Sequence, residues 1–140
     1  MWWGRSARCS TRLRPRKRSN TTAPFARLLR VYGDSMAPTL RAGELVVVSE
    51  RTYDTRPPQR GDIVAVRPAA FGGRAFVKRI AALPHERLTF DGREWRLGAD
   101  EFFLLGDHPG DSLDSRTFGP VTRPDLIGPI HYRLWPWTIF

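Results

Sequence analysis

At 140 residues, 16.0 kDa and 41% hydrophobic, the chain is long enough for one domain with its own core and too short to expect two. Its formal charge of +9 is unevenly placed: residues 1–30 hold nine of the 23 basic residues and no acid, and residues 31–140 set 14 bases against all 14 acids, which argues against a basic nucleic-acid-binding face on the body. No uninterrupted apolar run exceeds four residues where a spanning helix needs about 20, so neither a transmembrane helix nor the apolar stretch of a secretory signal is expected, and the lone Cys9 excludes an internal disulfide.

In chain order, residues 1–30 read as a disordered basic extension, because basic residues and Ser/Thr with few large aliphatics cannot bury enough surface to fold. A merely solvated tail, a segment attracted to anionic lipid, and a removable organellar transit peptide all fit that composition. Residues 31–140 form the expected folded domain. Its apolar residues come in short β-branched or aromatic runs bounded by Gly, Pro and Asp, which predicts strands over Glu44–Ser49, Asp62–Val66, Ala75–Ala82, Arg87–Phe90, Glu94–Leu97, Glu101–Leu105 and Ile130–Trp135. Asp91-Gly92 suggests a tight hairpin turn between two of them, and a short helical turn is expected around Pro38–Arg41. The fold class is mainly β, a barrel or folded sheet with irregular loops and no internal repeat.

Composition singles out one residue. Of 23 basic residues 21 are Arg, and the body uses Lys only at Lys78. With period two, Phe76, Lys78, Ile80 and Ala82 share one strand face, so Lys78 stands among apolar neighbours. Desolvation can depress a lysine pKa by roughly 3–5 units from about 10.4, which makes the neutral amine a general base near neutral pH, a role closed to Arg. The pattern equally describes an edge-strand Lys whose stem packs and whose head reaches water.

A base needs a nucleophile, and Ser35 in Gly33-Asp34-Ser35-Met36-Ala37-Pro38-Thr39-Leu40 is the best placed. Gly33 permits unusual backbone geometry beside the hydroxyl and Pro38 fixes the chain after it. Taken alone, such a segment is also an ordinary capped turn.

Together these stretches resemble the type I signal peptidases, serine/lysine proteases that carry a serine box, an RGD-V box, a lysine box and a final GD…S-DSR-FG box. Here they read GDSMAPTL at 33–40, RGDIVAV at 60–66, FVKRIAALP at 76–84 and GDHPGDSLDSRTFGPV at 106–121, in that order over about 90 residues. The resemblance implies Ser35 as nucleophile and Lys78 as its general base, with no His or Asp required. It implies that Ser112 orients the lysine, and that Asp107, Asp111, Asp114 and Arg116 brace the loop. His85, His108 and His131 have no clear Asp partner, and His108 is given a structural hydrogen-bonding role. The Ser35 backbone N–H would serve the oxyanion; Gly33 stands where some relatives have Ser, so a side-chain donor is absent there.

Substrates of the family bind as an extended strand with small residues one and three positions before the cleaved bond. Segments Leu29–Asp34 and Arg74–Val77 suit the borders of that cleft, with Val31, Tyr32, Met36, Phe76 and Val77 as cleft residues. The implied partner is a precursor protein or signal peptide, without cofactor, metal or nucleic acid.

Two features depart from the larger bacterial enzymes. No anchoring helix precedes Ser35, and Lys78 lies 28 positions before Gly106, so the accessory β domain shrinks to the hairpin around Asp91-Gly92. The end Tyr132-Arg133-Leu134-Trp135-Pro136-Trp137-Thr138-Ile139-Phe140, with Trp2 and Trp3, either rests at a bilayer interface or closes the core. A peripheral membrane or cytoplasmic location is therefore expected. The alternatives are a soluble maturation protease for one precursor, such as nickel superoxide dismutase, and a non-catalytic peptide-binding module. Self-cleavage as in SOS-repressor proteases is disfavoured by the short, polar segment before Ser35, and the binding module by the joint presence of Ser35, Lys78 and Ser112.

Overall fold

The run Ile63–Val66 has no polar side chain, so a strand there needs apolar cover on both faces. It has that cover in the computed structural model of the protein, which describes residues 26–135 and 137–140. The strands in chain order are β1 (Ala26–Arg30), β2 (Leu45–Ser49), β3 (Ile63–Val66), β4 (Phe76–Ala82), β5 (Arg87–Phe90), β6 (Arg93–Arg96), β7 (Glu101–Leu105), β8 (Val121–Thr122), β9 (Leu126–Trp135) and β10 (Trp137–Ile139). Two single-turn helices, α1 (Thr52–Thr55) and α2 (Ser115–Phe118), lie between them.

All strand pairs are antiparallel, in the order β1-β2-β9-β3-β4-β7-β8, with β10 folded back on β9 and β5-β6 a separate hairpin. β3 sits mid-sheet. Ile63 and Ala65 face a core with Val31, Met36, Leu40, Val46 and Val77; Val64 and Val66 face a second core with Ile80, Phe102, Leu104, Val121 and Leu126. β9 serves both halves of the sheet. Register shifts against β2 and β3 bend it, and Gly128 lets it pass under the end of β2, where a Cβ would collide with the Ser49 main-chain oxygen.

The hairpin expected at Asp91-Gly92 is present, with both residues in the left-handed region (φ 50° and 75°) that the tightest hairpin turn demands. All seven predicted strands occur, with the last extended back to Leu126. Around Pro38–Arg41, where a short helical turn is expected, the chain instead makes a non-helical turn through a cis Ala37-Pro38 peptide, closed by Leu40 N–H donating to Met36 O at 2.9 Å.

One further expectation is corrected, and one of two open readings falls away. Ala26–Arg30, assigned to the extension, pairs with β2 in register from Ala26↔Ser49 to Arg30↔Leu45, so Arg27 and Arg30 belong to the folded body. Short strands bordered by arginines look like tail until their partner is known. The carboxyl end does not close the core: Trp135 is 79% exposed and Trp137 63%, with Ile139 also exposed. The rest of the basic extension, Trp2, Trp3, Cys9, Pro136 and the Asp111 side chain lie outside the described residues.

Candidate active site

The serine loop hangs between two anchors. Val31 exchanges backbone hydrogen bonds with the next strand's entry (its N–H to Glu44 O at 2.9 Å, Gly43 N–H to its oxygen at 2.8 Å), while Met36 and Leu40 are buried in the first core. Between them Gly33 takes φ 72°, a conformation costly for any residue with a Cβ, and Ala37 N–H donates to Asp34 O at 2.9 Å. The turn leaves Ser35 half-buried. Its carbonyl accepts the His108 main-chain N–H at 2.9 Å, so His108 holds the serine through its backbone, with its imidazole exposed.

Lys78 comes from β4, opposite Val64 of β3. It is 2% exposed, and its Nζ donates to Ser35 Oγ at 2.7 Å. Burial holds the ammonium pKa below the ordinary lysine value; the Arg116 charge pushes the same way, and Asp114 opposes both. Of the two readings left open by the strand pattern, the packed, water-excluded one describes this lysine.

Charged groups next to these two residues in the four boxes fasten their supports together. Arg79, on the other face of β4, donates Nε to Asp107 Oδ1 and Nη2 to Asp107 Oδ2, each at 2.8 Å, and Thr39 of the serine loop donates to the same Oδ2 at 2.6 Å. One carboxylate thus ties the lysine strand, the serine loop and the last box. The Arg79 guanidinium, above all, holds its pKa below the usual carboxylate range. Arg79 also donates to Gly61 O at 2.9 Å, and Asp62 in the same box accepts from Tyr53 (2.8 Å), Arg56 (3.0 Å) and Gln59 N–H (3.1 Å). The RGD box therefore pins β4 from behind.

Asp114 is fully buried and caps α2. Its Oδ1 accepts from Arg116 N–H and Nε, and its Oδ2 from Arg116 Nη2 (2.7 Å), Gly106 N–H (3.0 Å) and Ser112 Oγ (2.7 Å). Burial alone would raise its pKa; these hydrogen bonds outweigh it and the pKa lies below the ordinary value. Ser112, expected on the Lys78 amine, donates its hydrogen bond to Asp114 instead, because the carboxylate two residues on is the stronger acceptor. The Ser112 hydroxyl still borders the site: a Cβ on Gly106 would strike it and would lie 2.5 Å from Ser35 O, so Gly106 is where the last box and the serine loop touch.

Ser35 and Lys78 stand in a cleft of about 610 Å³, lined by Val31, Tyr32, Met36, Phe76 and Val77 among others. The bordering segments approach from β1 and from the start of β4. Sequence reasoning missed Thr39 and Arg79; Arg79 carried a signal, being a charge on the strand face opposite Lys78. Among the described residues no three His, Cys, Asp or Glu side chains converge to hold a metal, and no helix is long and apolar enough to cross a membrane.

A family model described as "Signal peptidase, peptidase S26" matches residues 21–96 and 85–135. The chain is 31% identical to signal peptidase I of Leptolyngbya laminosa, over 76% of this chain and 67% of that protein. It is 30% identical to the Arabidopsis thaliana mitochondrial ATP-independent inner membrane protease subunit 1b (78% and 70% covered) and 32% identical to the mouse mitochondrial inner membrane protease subunit 2 (76% and 66%). The match spans all four boxes and both halves of the sheet, and the chain belongs to the signal peptidase family, peptidase S26, whose members are serine-type endopeptidases.

Proposed function

We propose that Ser35 is the nucleophile and Lys78 the general base for cleavage of leader or signal peptides after small residues. The observation that carries this reading is the 2.7 Å contact between a buried lysine amine and a serine hydroxyl at the end of an open cleft. With the amine neutral, that contact runs in reverse. The Ser35 proton passes to Nζ as Oγ attacks the scissile carbonyl, and the Ser35 main-chain N–H serves the oxyanion. Nζ then returns the proton to the leaving amine, the peptide bond breaks, and water repeats the sequence on the acyl-enzyme.

Asp107, Asp114 and Arg116 act as supports, with Ser112 holding the Asp114 carboxylate whose charge acts on the lysine. Substrate would lie extended between the two bordering segments, its small side chains against Val31, Met36, Phe76 and Val77. Incubation with an Ala-X-Ala leader peptide tests this: wild type cleaves, and Ser35→Ala and Lys78→Ala lose turnover. Equal turnover by all three would end the dyad assignment.

Peripheral membrane contact is part of the same proposal. Trp135, Trp137 and Ile139 are each exposed; Trp135 and Arg30 line one hollow and Arg30 also lines the cleft, so Trp135 is the aromatic residue set beside the cleft. Co-sedimentation with anionic vesicles should fall in Trp135→Ser/Trp137→Ser, and unchanged binding would retire this patch as the contact.

A further inference from the structure

The charge of the cleft bears on what enters it. Among the described residues the charged residues lining it are Arg30, Arg74 and Lys78, and no Asp or Glu lines it. Most arginines near the site are spent inside the protein: Arg27 pairs with Glu50 at 2.9 Å, Arg79 with Asp107, Arg116 with Asp114, Arg133 with Glu44 at 3.1 Å. Arg30 and Arg74 are exposed and have no carboxylate within ion-pairing distance among the described residues. Arg30 makes one long contact, Nη1 to Gly43 O at 3.4 Å. Nor can residues 1–25 supply the missing carboxylates, since they contain no acid.

The two arginines are set back from the chemistry by similar lengths of chain. Arg74 precedes Lys78 by four residues and Arg30 precedes Ser35 by five. The bordering chain bends at Gly33 and so reaches less far than an extended peptide, which advances about 3.3 Å per residue; a side chain between the arginines then belongs to a residue three to five positions from the bond at Ser35. We propose that Arg30 and Arg74 are specificity-determining residues that select peptides carrying Asp or Glu three to five residues before the cleaved bond. This rests on the reading that the cleft holds the substrate main chain with its small residues nearest the dyad. Lys78 is engaged with Ser35 and leaves the flanking pair to meet the substrate carboxylate, where a guanidinium offers a two-pronged donor.

The test uses three leader peptides differing only five residues before the bond, where they carry Asp, Ala or Lys. For each, kcat/KM is measured on wild type and binding is measured by fluorescence anisotropy on Ser35→Ala. The Asp peptide should be preferred over Ala by about two- to fivefold for each arginine engaged, as exposed ion pairs allow. The preference should fade near 1 M salt, where the screening length is about 3 Å. Arg30→Gln/Arg74→Gln should abolish it, Arg74→Glu should shift it toward Lys, and Arg87→Gln on the remote hairpin should leave it in place. Equal handling of the three peptides by wild type, or an Asp preference that survives the double substitution, would overturn the proposal. Asp-selective binding without cleavage would uphold the cleft's selectivity and count against the dyad alone.

Discussion

Replacing Asp114 by Asn changes one charge and almost no volume, at a side chain that is fully buried and accepts five hydrogen bonds. Asn caps a helix as well as Asp does, so the loss falls on the charge and on the donors. Whichever way the amide turns, its NH2 faces either the three donors at Oδ2 or the two at Oδ1. Removing one partner of a buried pair costs about 3–5 kcal/mol. The Arg116 side chain is 23% exposed and can swing its head to water, which places the cost at the low end, about 3 kcal/mol. At about 4 °C per kcal/mol for a domain of this size, Tm should fall by about 12 °C in calorimetry at pH 7. A second readout separates this from generic damage. Asp114 opposes the depression of the Lys78 pKa, so Asp114→Asn should move the rising limb of activity to lower pH. A Tm within about 2 °C of wild type, or a limb displaced upward, would refute the reasoning.

Lys78→Met should abolish turnover yet stabilise the fold at pH 7. The folded pKa of Lys78 is below its unfolded value, so between the two the unfolded chain binds more protons and wild-type stability rises with pH by up to about 1.4 kcal/mol per unit. The variant's advantage in denaturant titrations should therefore shrink toward pH 10, and a pH-independent difference would contradict it. Gly106→Ala should cost about 1–3 kcal/mol, because the new methyl meets Ser112 Oγ and the Ser35 carbonyl. Displacing Ser35 in this way should also lower kcat about 100-fold, and normal kcat would show that the serine loop is not held there. Asp107 and Asp114 have depressed pKa values, so the stability they contribute is complete above the unfolded carboxylate value near 4 and drains as pH falls through the folded values. Acid titration of Asp107→Asn should show a shallower loss below pH 4 than wild type; identical curves would remove Asp107 from the account.

Much of this was legible in the sequence. Alternation and turn residues located seven strands, and the rarity of lysine pointed to Lys78 before any resemblance was invoked. What stayed hidden depends on partners distant in the chain. β1 is a strand because β2 offers it a ladder, and its own arginines disguised it as tail. β8 and β10 are two and three residues long, too short for a periodicity, and exist as additions to β7 and β9. The Ser112 hydroxyl had two neighbours to choose between, and spacing alone did not reveal that Asp114, held by Arg116 and Gly106, would take it. The Thr39–Asp107–Arg79 link joins three boxes that sequence order keeps about 40 and 28 residues apart.

The central claim is that a desolvated, neutral Lys78 activates Ser35. It is tested most directly by kcat/KM against pH for wild type on an Ala-X-Ala leader peptide. The account predicts activity lost as pH falls through one group whose pKa lies below the ordinary lysine value near 10.4, and a limb moved down by Asp114→Asn. A rate unchanged from about pH 6 to 10, or a limb centred at the ordinary lysine value, would contradict it.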